Sequence, residues 1–262
     1  MTIFLFFLAL FWFPQQAPRQ ISNDGDAHGD APYLIESGWT PLLNGKDLSG
    51  WRGQNPQAKN EWLTTTGVAW ERLLGPTRLG AMPAPGDRIV NGPTGRTVNL
   101  MTEQKFGDIE LYLEFMLAKG SNSGVYLQGL YEVQLFDSWG STEDMSTSDC
   151  GAIYHRWIDN QGVGGSAPSR NASRRPGEWQ SFHIWFRAPR FDTSGKKIEN
   201  AKFLRVVHNG LTVQKLVEVD GPTRAAMSIA EAATNPIMIQ GDHGPVALRN
   251  IYWRPLRELI KR

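Results

Sequence analysis

Tyr131-Glu132-Val133-Gln134-Leu135-Phe136-Asp137 decides how the rest of the chain is read. Val133 and Leu135 alternate with Glu132 and Gln134, the period of two of a β-strand with one apolar and one polar face. Glu132 and Gln134 therefore project together. Asp137 has the wrong parity for that face unless a bulge intervenes or the strand has ended, and Ser138-Trp139-Gly140 favours an end.

The pattern spreads outward from there. Residues 124–129 form a preceding strand, joined by a hairpin or bulged bend at Gly129-Leu130, and Tyr126 and Gln128 continue the polar groups. Ile109, Leu111, Leu113 and Phe115 share one face of a strand whose other face holds Glu110, Tyr112 and Glu114, which predicts a half-buried antiparallel strand. Residues 182–186, 203–207 and 211–217 alternate likewise, and Asn209-Gly210 between the last two is a strong hairpin signal. Residues 237–240 and 246–253 close the series. Helical periodicity is nearly absent, and residues 224–234 are the one stretch that suits a short helix or an ordered excursion. Many short strands without a βαβ rhythm predict an all-β sandwich or barrel. Residues 82–95 and 160–176, rich in Gly and Pro, are expected as long loops suited to a binding rim.

Composition narrows the function. Lysine and arginine nearly balance aspartate and glutamate, leaving a formal charge of +1, which argues against a nucleic-acid partner. The single cysteine, Cys150, makes no internal disulfide. Ten tryptophans suit both a Trp-rich core and stacking on sugar faces. Residues 3–13 are an uncharged apolar run, too short to span a bilayer but the right length for the core of a signal peptide. The expected organisation is a cleaved signal peptide at 1–17, a polar disordered lead-in at 18–32 and one domain at 33–258. That places the mature protein in a secreted or periplasmic setting with no stable membrane anchor.

A second polar cluster, Gln240-Gly241-Asp242-His243-Gly244-Pro245, follows residues 237–239. His243 suits a general acid or base, the usual role of a catalytic histidine, though a turn histidine bound to backbone has the same sequence. Arg249 can orient Glu132 or a sugar hydroxyl, or serve as an ion-pair partner. His155, His183 and His208 lack metal-ligand spacing, and no nucleophile elbow, phosphate loop or dinucleotide motif is present.

Glu132-x-Gln134-x-x-Asp137 resembles the Glu-x-Asp-x-x-Glu strand of retaining β-glucanases. Those enzymes need two carboxylates about 5–5.5 Å apart. Here an amide replaces the middle acid, which weakens that reading. A more extensive resemblance is to the 3-keto-disaccharide hydrolase family, also described as 3-keto-glucoside lyase and 3-keto-glycal hydratase. It is carried in order by Leu42-Leu43-Asn44-Gly45-Lys46-Asp47-Leu48-Ser49-Gly50-Trp51, Phe106-Gly107-Asp108-Ile109-Glu110-Leu111 and Ser121-Asn122-Ser123-Gly124-Val125-Tyr126-Leu127-Gln128. Tyr131-Glu132-Val133-Gln134, Arg175-Pro176-Gly177-Glu178-Trp179-Gln180 and residues 240–246 with Arg249-Asn250-Ile251 complete it. Residues 155–162 depart from it as an enlarged loop.

The resemblance implies a concanavalin A-like β-sandwich (jelly roll) of two antiparallel sheets. It further implies an enzyme that removes the C2 proton of a 3-keto-glycoside and expels the C1 aglycone. Carried onto this chain, Glu132 and His243 are the catalytic acid and base in either order. Asn122, Tyr126, Gln134, Asp137, Gln240 and Arg249 are candidate substrate-binding residues. No cofactor is evident; a divalent ion assisting an enolate remains open, although no ligand set is visible. The expected partner is a 3-keto-mono- or disaccharide derivative. The competing readings are a non-catalytic lectin-like module and a retaining endoglucanase.

Overall fold

A computed structural model describes residues 31–73 and 75–257. The stretch expected as a signal peptide, 1–17, and most of the expected lead-in, 18–32, lie outside the described residues.

Two antiparallel sheets stack face to face. The smaller runs in the order Tyr131–Phe136, Asn122–Leu127, Asn235–Ile239, Leu100–Phe106, Trp51–Gly53. The larger runs Leu211–Val219, Ala201–His208, Gln180–Arg187, Ile109–Leu117, Val246–Pro255, Arg88–Val90, Leu63–Thr65. Thr40–Pro41 adds to Val246–Pro255. Between the sheets, Val125, Leu127, Val133 and Leu135 from one layer meet Leu111, Leu113, Phe115, Phe182 and Leu248 from the other in a continuous apolar core. The all-β sandwich of two antiparallel sheets is therefore the fold.

Strand alternation does this sorting. Gln180–Arg187 alternates buried and partly exposed residues along its whole length. Asn209 (φ 49°) and Gly210 (φ 79°) form the tight turn that pairs His208 with Leu211. Two positive-φ residues give a primed turn, whose twist matches that of the strands.

Three expectations change. The strand Ile109–Leu117 is buried on both faces rather than one, because residues 32–39 lie across its polar side. There Tyr33, in the one-turn helix Pro32–Ile35, stacks on Tyr252 with ring centroids 4.0 Å apart. The presumed loop 82–95 contains the strand Arg88–Val90, too short to show a period. Within 160–176, Gln161–Val163 pairs with Arg156–Ile158 as a small hairpin, so the enlarged loop has structure. Residues 224–234 form an ordered excursion without a helix.

Candidate functional site

The outer face of the five-stranded sheet holds the site. The parity that sends Val133 and Leu135 into the core turns Glu132, Gln134 and Phe136 outward, where they meet Tyr126, Gly124 and Asn122 of the neighbouring strand. Met238 and Met101 continue this face, and with Tyr126 and Met227 they form a small apolar cluster. Met227 belongs to the 224–234 excursion, which closes one side. Where the excursion begins, Arg224 N bonds to His155 O at 2.9 Å, and beside it Ile153 bridges to Val133 while backbone bonds join Tyr154 to Glu132 (3.1 Å) and Gln134 to Ala152 (2.9 Å). Because Ile153 points into the core, Tyr154 beside it points to the polar face. This residue was missed in the sequence, where nothing marks 150–154 as an added edge.

Covered in this way, the polar pair is not a solvated face. Glu132 and Gln134 are each 2% exposed and Tyr126 1%. Burial pushes the Glu132 carboxyl up to about 8; a hydrogen bond from Tyr126 opposes the rise and the charge of Asp242 adds to it. A buried carboxyl without a cation keeps its proton at neutral pH. The Tyr126 hydroxyl also lies 3.2 Å from the Arg224 carbonyl, so its one proton is shared between that oxygen and Glu132, and burial together with Glu132 raises its own ionisation well above the usual range. The Gln134 side chain places one terminal atom 3.1 Å from both Glu132 Oε1 and Ser123 O, two acceptors that require its amino group there. The reverse orientation directs that amino group to Asn122 Oδ1 (3.2 Å) and Ser148 O (3.3 Å), but leaves its carbonyl facing the two acceptors. Gly124 is glycine because a Cβ there would lie 2.0 Å from Glu132 Oε1.

The second cluster arrives at the same place. Gln240 continues the strand Asn235–Ile239, its backbone N–H bonding to Gly124 O at 2.9 Å. The turn after it is clamped by buried Asn91, which donates to Gly241 O (3.1 Å) and Gly244 O (2.9 Å) and accepts from Val246 N (2.8 Å). A Cβ on Gly241 would sit 2.2 Å from Val98 O, so only glycine allows this approach. The turn presents Asp242 and His243 half-exposed at the rim, with His243 Nδ1 2.6 Å from Asp242 Oδ1. Gln240 Nε2 lies 3.2 Å from the same nitrogen. The shorter contact, to a carboxylate, calls for a proton on Nδ1, so in the neutral ring the lone pair is on Nε2.

Six of the eight predicted residues thus share one face or its rim: Glu132, His243, Asn122, Tyr126, Gln134 and Gln240. The other two do not. Asp137 has left the strand, and its carboxylate accepts from Gly120 N at 2.8 Å. Arg249 lies in the other sheet, between core residues Leu248 and Ile251, on the side away from the core. There it binds Glu114 Oε2 at 2.6 Å and stacks over Trp179 at 4.2 Å, so its ion-pair reading replaces the sugar-binding one. Asn250, in a bulge with φ 49°, brings its amide to the same Glu114 at 3.1 Å. Among the described residues no group of three or more His, Cys, Asp or Glu is placed to hold a metal ion.

The family model for the 3-keto-alpha-glucoside-1,2-lyase-like domain matches residues 38–254. The chain belongs to that family. This lyase-like domain is similar over 84% of either chain to a crystal structure from Parabacteroides distasonis ATCC 8503 described as a candidate glycosyl hydrolase, at 26% identity and a TM-score of 0.58. A second structure so described from the same organism has 17% identity and a TM-score of 0.54, covering 88% of the lyase-like chain and 99% of its own. No curated protein matches.

Proposed function

We propose that this domain is a carbohydrate-active enzyme that eliminates the aglycone from 3-keto-glycosides, with Glu132 as general acid and His243 as general base. The observation that carries the reading is a single buried, cation-free carboxyl, Glu132, whose proton is held to about pH 8. A carboxyl that keeps its proton, paired with an imidazole oriented to accept one, lets one site run acid and base chemistry together. His243 Nε2, oriented through Nδ1 by Asp242, takes the C2 proton, which the C3 ketone has acidified. The electron pair forms the enolate and then expels the C1 oxygen, which takes the Glu132 proton. The amides of Gln134, Gln240 and Asn122 hold hydroxyls and the enolate oxygen, as preorganised donors do where charge develops. Water can then add back to the unsaturated product, giving net hydrolysis. The family membership supports the substrate class, and the similar structures described as candidate glycosyl hydrolases support sugar as substrate. Residues 1–17 fit export to the periplasm or medium, where such a sugar would be met.

The two competing readings fare less well. A retaining glycosidase needs a second carboxylate close to Glu132. Position 134 is an amide, Asp137 is engaged by Gly120 N, and Asp242, the carboxylate whose charge reaches Glu132, is held by His243 at the rim. A lectin predicts exposed tryptophans with Glu132, Gln134, Gln240 and His243 scattered. Against it, Gln134 lies 3.1 Å from Glu132, Gln240 pairs with the Gly124 strand beside them, and Trp157 at 45% is the single large exposed tryptophan among the described residues.

The test is turnover in D2O with a 3-keto-glucoside and its parent glucoside, with and without a chelator. Aglycone release from the ketone alone, with solvent deuterium at C2 of the hydrated product, is expected. Release from the parent glucoside without exchange at C2 overturns the mechanism.

A further inference from the structure

Beyond Phe136, where the strand that carries Glu132 ends, a second cavity of about 770 Å³ opens, lined by Asp137 and by residues from three other segments. Five residues of extended chain separate Glu132 from Asp137, about 17 Å at about 3.4 Å each, so this cavity is a separate place. Its volume falls within the usual range for small-ligand sites, about 300–1,000 Å³.

Two tryptophans frame it, and one of them, Trp70, is fixed. Trp70 donates through Nε1 to Pro76 O at 2.7 Å, and its ring lies against Gly177, where a Cβ would come within 2.6 Å of it. Trp139 carries the Arg175 guanidinium 5.3 Å from its ring centroid. Rigid aromatic faces lose little freedom on binding, which favours a flat apolar ligand surface such as the face of a pyranose. Arg175, Arg72 and Lys119 bring three positive charges to the lining, against Asp137 and Glu178. Among the described residues none of the three cations has a carboxylate within ion-pair distance. One Asp137 oxygen is held by Gly120 N, leaving the other to accept a hydroxyl.

We infer that this cavity is a second saccharide site, selective for a sugar that carries a carboxylate. Arginine recognises a carboxylate through paired donors, the tryptophans take the ring faces, and Asp137 and Glu178 accept hydroxyls while repelling a bare multivalent anion. The inference does not depend on elimination at Glu132, and it gives Asp137 a sugar-binding role away from the site predicted for it.

The experiment is calorimetry on the intact protein with three probes: a glucuronate-terminated disaccharide, the same disaccharide with glucose in its place, and inorganic phosphate. Wild type, Trp139→Ala, Arg175→Gln and Glu132→Gln are compared. The acidic disaccharide is expected to bind about tenfold or more tighter than the neutral one, to weaken about tenfold in Trp139→Ala and in Arg175→Gln, and to keep its affinity in Glu132→Gln. No binding at millimolar acidic disaccharide, equal binding of the neutral one, equal binding of phosphate, or affinity lost only in Glu132→Gln overturns the proposal. That last outcome would place the sugar at the Glu132 site and leave the proposed elimination standing.

Discussion

The two sheets each bury a carboxylate on their outer face, and they treat it in opposite ways. In the eight-stranded sheet Glu110 receives both arms of Arg254, at 2.7 Å each, and a 2.7 Å contact from His183. Burial alone would raise its pKa, but the hydrogen bonds from His183 and Arg254 prevail and lower it. Arg254 is itself held by Glu36 at 2.6 Å and by the Trp39 ring at 4.4 Å. In the five-stranded sheet Glu132 meets a phenol, an amide and the charge of Asp242, with no cation, and its pKa rises to about 8. Two carboxyls shut off from solvent thus become a fixed anion in one place and a retained proton in the other, Glu132 being both the more deeply desolvated and the one without a cation. A compensated buried charge ties the N-terminal segment to the sheet, whereas an uncompensated one stores a proton for chemistry.

The sharpest way to break this contrast is to neutralise each carboxylate's partner set in turn. Glu132→Gln should lower aglycone release by about 10²–10⁴-fold, the usual contribution of a positioned acid or base, without loss of fold by circular dichroism. Arg254→Leu should leave turnover per folded molecule near wild type. By urea unfolding it should cost about 3–5 kcal/mol, because Glu110 loses both guanidinium bonds in the interior and keeps only the His183 contact.

The pH dependence should run in opposite directions. Glu132 has its folded pKa raised, so its contribution to stability is complete below the unfolded value near 4.5 and is lost as pH climbs through about 8. Glu132→Gln should remove that alkaline loss and gain up to a few kcal/mol over wild type near pH 8, read as melting temperature against pH. Glu110 has its folded pKa lowered, so its contribution is present above the unfolded value and lost as pH falls through the lowered one. Activity that needs the Glu132 proton should likewise decline as pH rises through about 8.

Smaller effects sharpen the picture. Gly124→Ala drives a methyl into the Glu132 carboxyl and should cost about 1–3 kcal/mol along with most of the turnover. Arg249→Gln, which touches Glu114 and Trp179 in the other sheet, should change turnover less than about threefold in the same assay.

Much of this was readable from residue order. Alternation in 109–115, 131–136 and 182–186 gives strands whose inward residues are the observed core, and Asn209-Gly210 gives the hairpin. The motifs that carry the family resemblance are a mixture, and only position separates them. Asn44 and Asp47 cap their own loop through bonds to Lys46 N and Ser49 N, and Trp51 anchors it in the core through Leu42 O at 2.7 Å. Asp108 grips Arg190 with both oxygens. Neither loop supplies a residue to the site. Residues 121–128, 131–134 and 240–243 do, because antiparallel pairing sets them side by side. Arg249 follows closely in sequence and still falls on the far side, since residues 246–255 belong to the other sheet.

The sequence by itself determined which residues point inward, where chains turn, and that Glu132 and Gln134 share a face, because a two-residue period needs no information about neighbours. Tertiary structure alone decided that this face is covered, by 150–154 along the edge strand and by 224–234 across the methionines beside it. Coverage removes water from Glu132, and the absence of a cation beside it lets that desolvation raise its pKa. Both depend on residues distant in sequence, which local pattern cannot weigh.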